Sequence, residues 1–119
     1  MNPSQAEIAG DLLRRSIDAL ERADFKAFAA CFEKNGWYSD YCPSSNGKDN
    51  WFCYGSKGIE MFIGNRFAQN RFTLSCPVQE SETRASFFGA YDGPYVYAMF
   101  EIREIGDNGL IRKAIVYPI

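Results

Sequence analysis

The hydrophobic period of the chain changes near residue 70, and that change limits the folds open to it. Before this point, three segments carry apolar residues at every third or fourth position, as in amphipathic helices. From Arg71 onward they alternate with polar residues, as in strands that bury one face. Helices followed by a run of strands predict an α+β domain with the helices on one face of the sheet.

Three helices are expected in the first part of the chain. Ser4 and Glu7 have the spacing of a capping box at the start of the first helix. Asp24 can cap a second, shorter helix, and Ser56 can cap the third. The residues predicted to be buried are Ile8, Leu12, Leu13, Ile17 and Leu20 in the first helix, Phe25, Phe28 and Phe32 in the second, and Ile59, Phe62, Ile63 and Phe67 in the third.

Strands are expected after the second helix, which we predict to end at Asn35-Gly36. A strand containing Asp40 follows, and then a polar loop over 43–50. The segment "WFCYG" is ambiguous between core and pocket rim. The later strands are expected over 72–78, 84–91, 95–105 and 110–119, with Phe72, Leu74, Cys76 and Val78 alternating with polar residues in the first of them.

The last two strands can be aligned by charge. A four-residue loop would place two arginines opposite each other, which is unfavourable. A two-residue turn at 108–109 instead places Glu104 opposite Lys113, and this type of turn is favoured in hairpins. We expect the second register, which sets Glu101 opposite Val116.

Composition excludes several function classes. A net charge of −2 without a basic stripe argues against nucleic-acid binding. No run approaches the roughly 18 apolar residues of a membrane helix, and the N-terminus does not resemble a signal peptide, so we expect a cytoplasmic protein without membrane contact. The chain has no histidine, and its four cysteines form no C-x-x-C pair. Acid–base chemistry would therefore use carboxylates, tyrosines or lysines, and we expect neither a cofactor nor a metal.

Asp40 is the carboxylate in the most unusual surroundings, within "NGWYSDYCP". In a strand, Tyr38, Asp40 and Cys42 share one face. A charge in an apolar wall costs several kcal/mol unless it is paired or neutralised. Asp40 is therefore a surface residue, a structural acid bound to backbone amides or to an arginine such as Arg66 or Arg84, or a general base whose pKa burial raises.

Aromatic residues make up 16% of the chain, which indicates a wide apolar cavity, a large interface, or both. Trp51 and Phe62 are candidates to rim a ligand cavity that Tyr38 would line, although such aromatics also form ordinary cores.

The strand over 95–105 is apolar on both of its faces. One face would cover the helices, and the other would be exposed unless a partner covers it, so we expect a homodimer formed through the sheet. We expect Glu101 to face inward; in the opposite orientation it would take no part in the chemistry. One face carries Tyr95, Tyr97, Met99 and Glu101, and the other carries Val96, Ala98, Phe100 and Ile102.

Three segments together resemble the nuclear transport factor 2-like superfamily, which includes ketosteroid isomerases, SnoaL-like polyketide cyclases and scytalone dehydratase. They are "LLRRSIDALERADFKAFAACFEKNGWYSD" (12–40), "GSKGIEMF" (55–62) and "GDNGLIRKAIVYP" (106–118). The resemblance covers nearly the whole chain and implies a single domain over 1–119 with a cystatin-like fold. In that fold a curved antiparallel sheet carries three helices on its concave face and encloses a cone-shaped cavity.

The resemblance to ketosteroid isomerases also implies roles for individual residues. The proton-abstracting aspartate falls on Asp40, and the protonated acid that donates to the substrate oxyanion falls near Glu101. The oxyanion-hole tyrosine of the first helix falls on Ser16, a shorter and weaker donor, for which Tyr97 or Tyr117 could substitute. The implied activity is cofactor-free proton transfer on a small hydrophobic carbonyl compound, in an isomerase, cyclase or dehydratase step. The alternative is a non-catalytic module of the same fold that binds a small apolar ligand or a protein partner.

Overall fold

Helices occupy most of the first half of the chain and strands most of the second, so the predicted α+β class is confirmed. The computed structural model describes residues 2–119. Within these residues no helix is both long and apolar enough to cross a membrane. The elements are α1 (Pro3–Glu21), α2 (Phe25–Ala30), β1 (Phe32–Asp40), a 3-10 turn (Pro43–Asn46), β2 (Trp51–Tyr54), α3 (Ser56–Ala68), β3 (Phe72–Gln79), β4 (Arg84–Tyr91), β5 (Tyr95–Ile105) and β6 (Ile111–Pro118).

The six strands form one sheet in the order β2-β1-β6-β5-β4-β3. β1 and β6 run parallel, whereas the other four neighbouring pairs are antiparallel. The sheet is therefore mixed, and the expectation of a purely antiparallel sheet is wrong at this pair. The rest of the chain connects β1 to β6, and a connection of that length permits parallel pairing.

One side of the sheet packs against the helices and forms the core; we call it the core face and the opposite side the outer face. Phe28 of α2 contacts three rings, those of Phe32, Tyr38 and Phe100, edge-on at 5.2 to 6.2 Å between ring centres. Ile8, expected in the buried stripe of α1, is half exposed. The buried residues of α1 and β5 include Leu12, Leu13, Ile17 and Leu20, and Val96, Ala98, Phe100 and Ile102.

The first helix begins earlier than predicted. Its capping box is formed by Asn2 and Gln5, not by Ser4 and Glu7. The Asn2 side chain accepts a hydrogen bond from the Gln5 backbone, and the Gln5 side chain accepts one from the Asn2 backbone. Pro3 favours this start because its fixed φ suits the first helical position.

The other two helices differ from prediction at one end each. Asp24 caps α2 as predicted, since its side chain accepts a backbone hydrogen bond from the first turn. The helix ends before Asn35-Gly36, however, because β1 already begins at Phe32 and runs through that pair. α3 starts after Gly55, at a φ of 81°, without a side-chain cap from Ser56.

A bulge in β3 reverses the predicted faces of its second half. Phe72 and Leu74 are buried as expected, but Cys76 and Val78 are exposed. Pairing with β4 shifts between Ser75 and Val78, and Cys76 adopts a φ of 53°. An extra residue in one strand turns the following side chains to the other face.

The β5–β6 hairpin follows the predicted register only near its turn. Glu104 lies opposite Lys113 as expected, but Glu101 pairs with Ile115 and not with the residue after it. The pairing shifts on both sides of Glu104, which displaces the rest of the ladder by one residue. Hydrogen bonds close the turn around three residues, 107–109, and not two.

Candidate functional site

Asp40 ends β1 on the core face and is completely buried. It lies between Trp51 of β2 and Val116 of β6, its partners in the sheet. One carboxylate oxygen accepts a hydrogen bond from the Cys42 amide at 2.9 Å, and the other accepts one from the Tyr91 hydroxyl at 2.5 Å. These bonds hold the carboxyl group in one orientation.

Burial raises the pKa of Asp40 from 3.8 to about 7, although the hydrogen bonds from Tyr91 and Cys42 oppose this increase. Neither Arg66 nor Arg84 bonds to Asp40, and no ion pair within residues 2–119 includes it. A carboxyl group with this pKa can both accept and release a proton near neutral pH, as a general base must.

A second polar group, the Tyr38 hydroxyl, is buried near Asp40 on the same face of β1. It has no hydrogen-bond partner within residues 2–119. Burial and the charge of Asp40 raise the pKa of Tyr38 well above its usual value, so the hydroxyl keeps its proton. An unused buried donor is costly, and it can bond to a ligand oxygen placed beside it.

Two buried cysteines complete the surroundings of Asp40. Burial is the largest cause of a raised pKa for both thiols. The pKa of Cys53 is raised to about 12, and that of Cys42 is raised by more than that of Cys53. Both thiols therefore stay protonated and are poor nucleophiles. Within the described residues, no group of three or more Cys, Asp or Glu side chains is arranged to hold a metal ion.

Four aromatic rings close the site between α3 and the sheet, and we call them the aromatic cover: Trp51, Phe62, Phe72 and Tyr91. Trp51 is central, with its ring centre 5.2 Å from that of Tyr91, 5.3 Å from Phe62 and 5.6 Å from Phe72. Trp51 is only 6% exposed. Asp40 is thus enclosed, and a ligand could reach it only if part of the cover moved.

Arg66 of α3 lies against the aromatic cover. Its guanidinium carbon is 4.5 Å from the ring centre of Phe62 and 5.9 Å from that of Trp51. The Nε atom is buried and has no hydrogen-bond partner within residues 2–119. Burial and the charge of Arg71 lower the pKa of Arg66.

Glu101 lies on the outer face, so the prediction that it points toward the helices is wrong. The more apolar side of β5 packs inward, and strand alternation then turns Glu101 away from the core. There it accepts a hydrogen bond from the Tyr117 hydroxyl at 2.8 Å and pairs with Arg103 at 2.7 Å. Asp40 and Glu101 are therefore on opposite sides of the sheet.

The other predicted site residues do not all lie near Asp40. Ser16 is buried on α1, but its hydroxyl donates a hydrogen bond to the Leu12 carbonyl of the same helix at 2.8 Å. This donor is therefore not available to a ligand. Tyr97 is on the outer face, where it stacks on Phe88 at 4.8 Å. The structure places Tyr38, Asp40, Trp51 and Phe62 in one region, and Glu101, Tyr97 and Tyr117 in another.

Sequence reasoning did not find Tyr91, the hydroxyl donor to Asp40. The available signal was the alternation along β4, which puts Ala85, Phe87 and Tyr91 on the core face. That alternation does not show that β4 ends close to Asp40, because this depends on the sheet order.

No family model and no curated protein sequence matches the chain. Solved structures do match its fold. A cystatin-like domain of unknown function from Nostoc punctiforme aligns over 100% of this chain and 80% of its own length, with a TM-score of 0.61 and 14% identity. A SnoaL-like protein of unknown function from Burkholderia thailandensis aligns over 95% of both chains, with a TM-score of 0.59 and 13% identity.

A ketosteroid isomerase-like protein from Erwinia carotovora atroseptica aligns over 99% of this chain and 98% of its own length, with a TM-score of 0.59 and 13% identity. At these identities the likeness extends to the fold and not to a reaction. The chain has the cystatin-like fold shared by the nuclear transport factor 2-like, SnoaL-like and ketosteroid isomerase-like proteins.

Proposed function

We propose that the protein catalyses cofactor-free proton transfer on a small hydrophobic carbonyl compound, with Asp40 as the general base. The observation that supports this most is a completely buried carboxyl group whose pKa burial raises to about 7. An aspartate with this pKa is well matched to removing a proton beside a carbonyl group near neutral pH.

Each polar group around Asp40 has a place in this proposal. Asp40 takes the proton from the carbon next to the carbonyl, and negative charge develops on the carbonyl oxygen. The Tyr38 hydroxyl, which has no partner, donates a hydrogen bond to that oxygen and stabilises it in a dry site. Tyr91 orients the carboxylate. Return of a proton to the same carbon gives exchange. In a substrate with a carbon–carbon double bond beside that carbon, return to the far carbon of the double bond would shift the bond and complete an isomerisation.

Substrate entry would require the aromatic cover to open. Trp51 and Phe62 are the rings to displace, because Trp51 contacts Tyr91 on one side and Phe62 on the other. Closure of the rings over a bound substrate would exclude water and strengthen the hydrogen bonds inside.

The test is deuterium exchange at the carbons next to the carbonyl of 4-phenyl-2-butanone in D2O, followed by proton NMR. We expect exchange above the buffer rate, and we expect Asp40→Asn to reduce the catalysed rate by about 10²- to 10⁴-fold. Glu101→Gln is the matched control, because it removes a carboxylate from the outer face. Equal rates in wild type and Asp40→Asn would contradict the proposal.

We also propose that the outer face forms a homodimer. Several large aromatic side chains are exposed there, and contiguous exposed apolar patches mark protein–protein interaction sites. Sedimentation velocity should give a dimer at micromolar concentration for wild type and for Met61→Lys, which changes an exposed residue of α3. Tyr97→Lys should give a monomer; a monomeric wild type would contradict this assignment. The exposed rings of the outer face include Trp37, Phe52, Tyr54, Phe88, Tyr95 and Tyr97.

A further inference from the structure

Arg66 is the positively charged group in contact with the aromatic cover, and its arrangement is unusual for a helix residue. It lies in the last turn of α3, where a cation interacts favourably with the free carbonyl groups. A lysine extending into solvent would serve that purpose equally well. Instead, the guanidinium lies over Phe62 and Trp51 with its Nε buried and without a partner among the described residues.

The charges near Arg66 are unbalanced. Asp92 is the acidic group that acts on Arg66, but it is already engaged by Arg71. Arg71 Nε lies 2.5 Å from one Asp92 oxygen, and a second Arg71 nitrogen lies 3.4 Å from the other. The charges of Lys48 and Arg66 also act on Asp92, so one carboxylate interacts with three cations, of which only Arg71 is bonded to it. An anion bound to Arg66 would reduce this excess positive charge.

The chemistry of the free group indicates what kind of anion fits. A guanidinium presents parallel N–H donors that match the two oxygens of a carboxylate, and bonds to a charged acceptor are about twice as strong as neutral ones. The rings beneath Arg66 hold it in place and limit the solvent around it, so a carboxylate there would interact more strongly than in water. A hydrophobic molecule with one carboxylate would also contact those rings.

The position of Trp51 connects Arg66 to Asp40. Trp51 contacts Arg66 on one side, pairs directly with Asp40 in the β1–β2 ladder, and packs against Tyr91, which bonds to Asp40. Trp51 is thus a neighbour of both Arg66 and Asp40. When Trp51 moves, a molecule that takes its place could contact both residues.

We propose that Arg66 binds a carboxylate of the substrate, and that the substrate is a hydrophobic oxo acid and not a neutral ketone. The carbonyl part of this inference rests on the proposed function of Asp40, whereas binding of the carboxylate by Arg66 does not. The carboxylate would hold the molecule beside Phe62 and Trp51, where Arg66 lies, and direct the carbon beside its carbonyl toward Asp40.

The test measures binding, not turnover, by calorimetry with two probes of the same skeleton. These are 2-oxo-4-phenylbutanoate and 4-phenyl-2-butanone, which carries a methyl group in place of the carboxylate. We expect wild type to bind the oxo acid at least about tenfold more tightly than the ketone, since a bond between charged groups is lost in the ketone. Arg66→Gln should lose this preference without weakening ketone binding.

The controls separate a local from a general charge effect. Lys57→Gln removes one positive charge from an exposed position of the same helix and should keep the preference. If Arg66→Gln does not fold, Arg66→Lys should show a reduced preference, because lysine keeps the charge but loses the paired donors. A wild type with no preference for the oxo acid, including one that binds neither probe, would overturn the proposal, as would a preference that survives in these Arg66 variants.

This experiment can fail independently of the proposed function. A carboxylate preference that depends on Arg66, without deuterium exchange that depends on Asp40, would support the Arg66 site and contradict the catalytic role. Exchange that depends on Asp40 in the neutral ketone, with no effect of Arg66 on binding, would support the base and overturn the oxo-acid assignment.

Discussion

Replacing Asp40 by asparagine should make the protein more stable at alkaline pH, although the asparagine side chain offers only one oxygen to the two donors that bond to Asp40. Burial raises the pKa of Asp40 from 3.8 to about 7, so the folded state prefers the neutral carboxyl group. Between these two values the folded protein binds more protons than the unfolded chain. Stability from this group is therefore fully present below pH 3.8 and is lost as the pH rises through 7.

The size of the effect follows from the pKa difference of roughly three units. At about 1.4 kcal/mol for each unit, ionisation of Asp40 costs the folded state about 4 kcal/mol at pH 8. Asparagine avoids this cost but fits the Tyr91 hydroxyl and the Cys42 amide less well, at about 1 to 3 kcal/mol. We expect Asp40→Asn to be more stable than wild type by roughly 1 to 3 kcal/mol at pH 8.

Urea denaturation from pH 4 to pH 8 measures this difference, and its pH dependence is more informative than its value at any single pH. The stability of Asp40→Asn relative to wild type should increase by roughly 3 to 4 kcal/mol over that range, since imperfect bonding of asparagine changes little with pH.

Asp92→Asn is the control of opposite sign. Bonding to Arg71 lowers the pKa of Asp92, so this variant should be less stable than wild type at neutral pH. The loss should fade as the pH falls below 3.8 and through the lowered pKa of the folded protein. A pH-independent difference for Asp40→Asn, or one that favours wild type increasingly toward pH 8, would refute the reasoning.

Two further variants test the surroundings of Asp40. Tyr91→Phe removes the hydroxyl donor and should therefore raise the pKa of Asp40 further. In urea denaturation we expect the free energy of unfolding to fall by about 2 kcal/mol at pH 8 but by about 1 kcal/mol at pH 5. Equal losses at the two pH values would contradict this. Gly89→Ala places a methyl group 2.5 Å from the Tyr91 ring and should lower the free energy of unfolding by about 1 to 3 kcal/mol. Gly58→Ala in α3 is the control, because a Cβ there would have no neighbouring atom within 4 Å, and it should be neutral or stabilising in thermal melts.

Much of the fold could be predicted because local signals and burial agree. The three helices and the later strands follow hydrophobic periods that the core then satisfies, and Asp24 has one clear use as a cap. The parallel pairing of β1 with β6 could not be predicted, because it joins segments from opposite ends of the chain. The bulge near Cys76 is not visible in the hydrophobic pattern, which alternates regularly through it; the local signal was Pro77, because a proline inside a strand is confined to edge strands and bulges.

The candidate site was predicted only in part, for a physical reason visible in β5. Both faces of that strand are apolar, so alternation alone could not show which one the helices cover, and Glu101 was placed on the wrong side. The unusual setting of Asp40 was visible because a carboxylate among aromatics is costly wherever it lies. Tyr91 and Arg66 reach the site from β4 and α3, and only the tertiary structure brings them there.

The most direct test of the central claim, that Asp40 is a desolvated carboxyl group suited to act as a base, is its own titration. Carbon-13 NMR of the side-chain carboxyl groups, with the Asp40 signal assigned by its absence in Asp40→Asn, gives the pKa without a substrate. The structure predicts a midpoint near 7. A midpoint at or below 3.8 would show a structural acid stabilised in its charged form and would contradict the account.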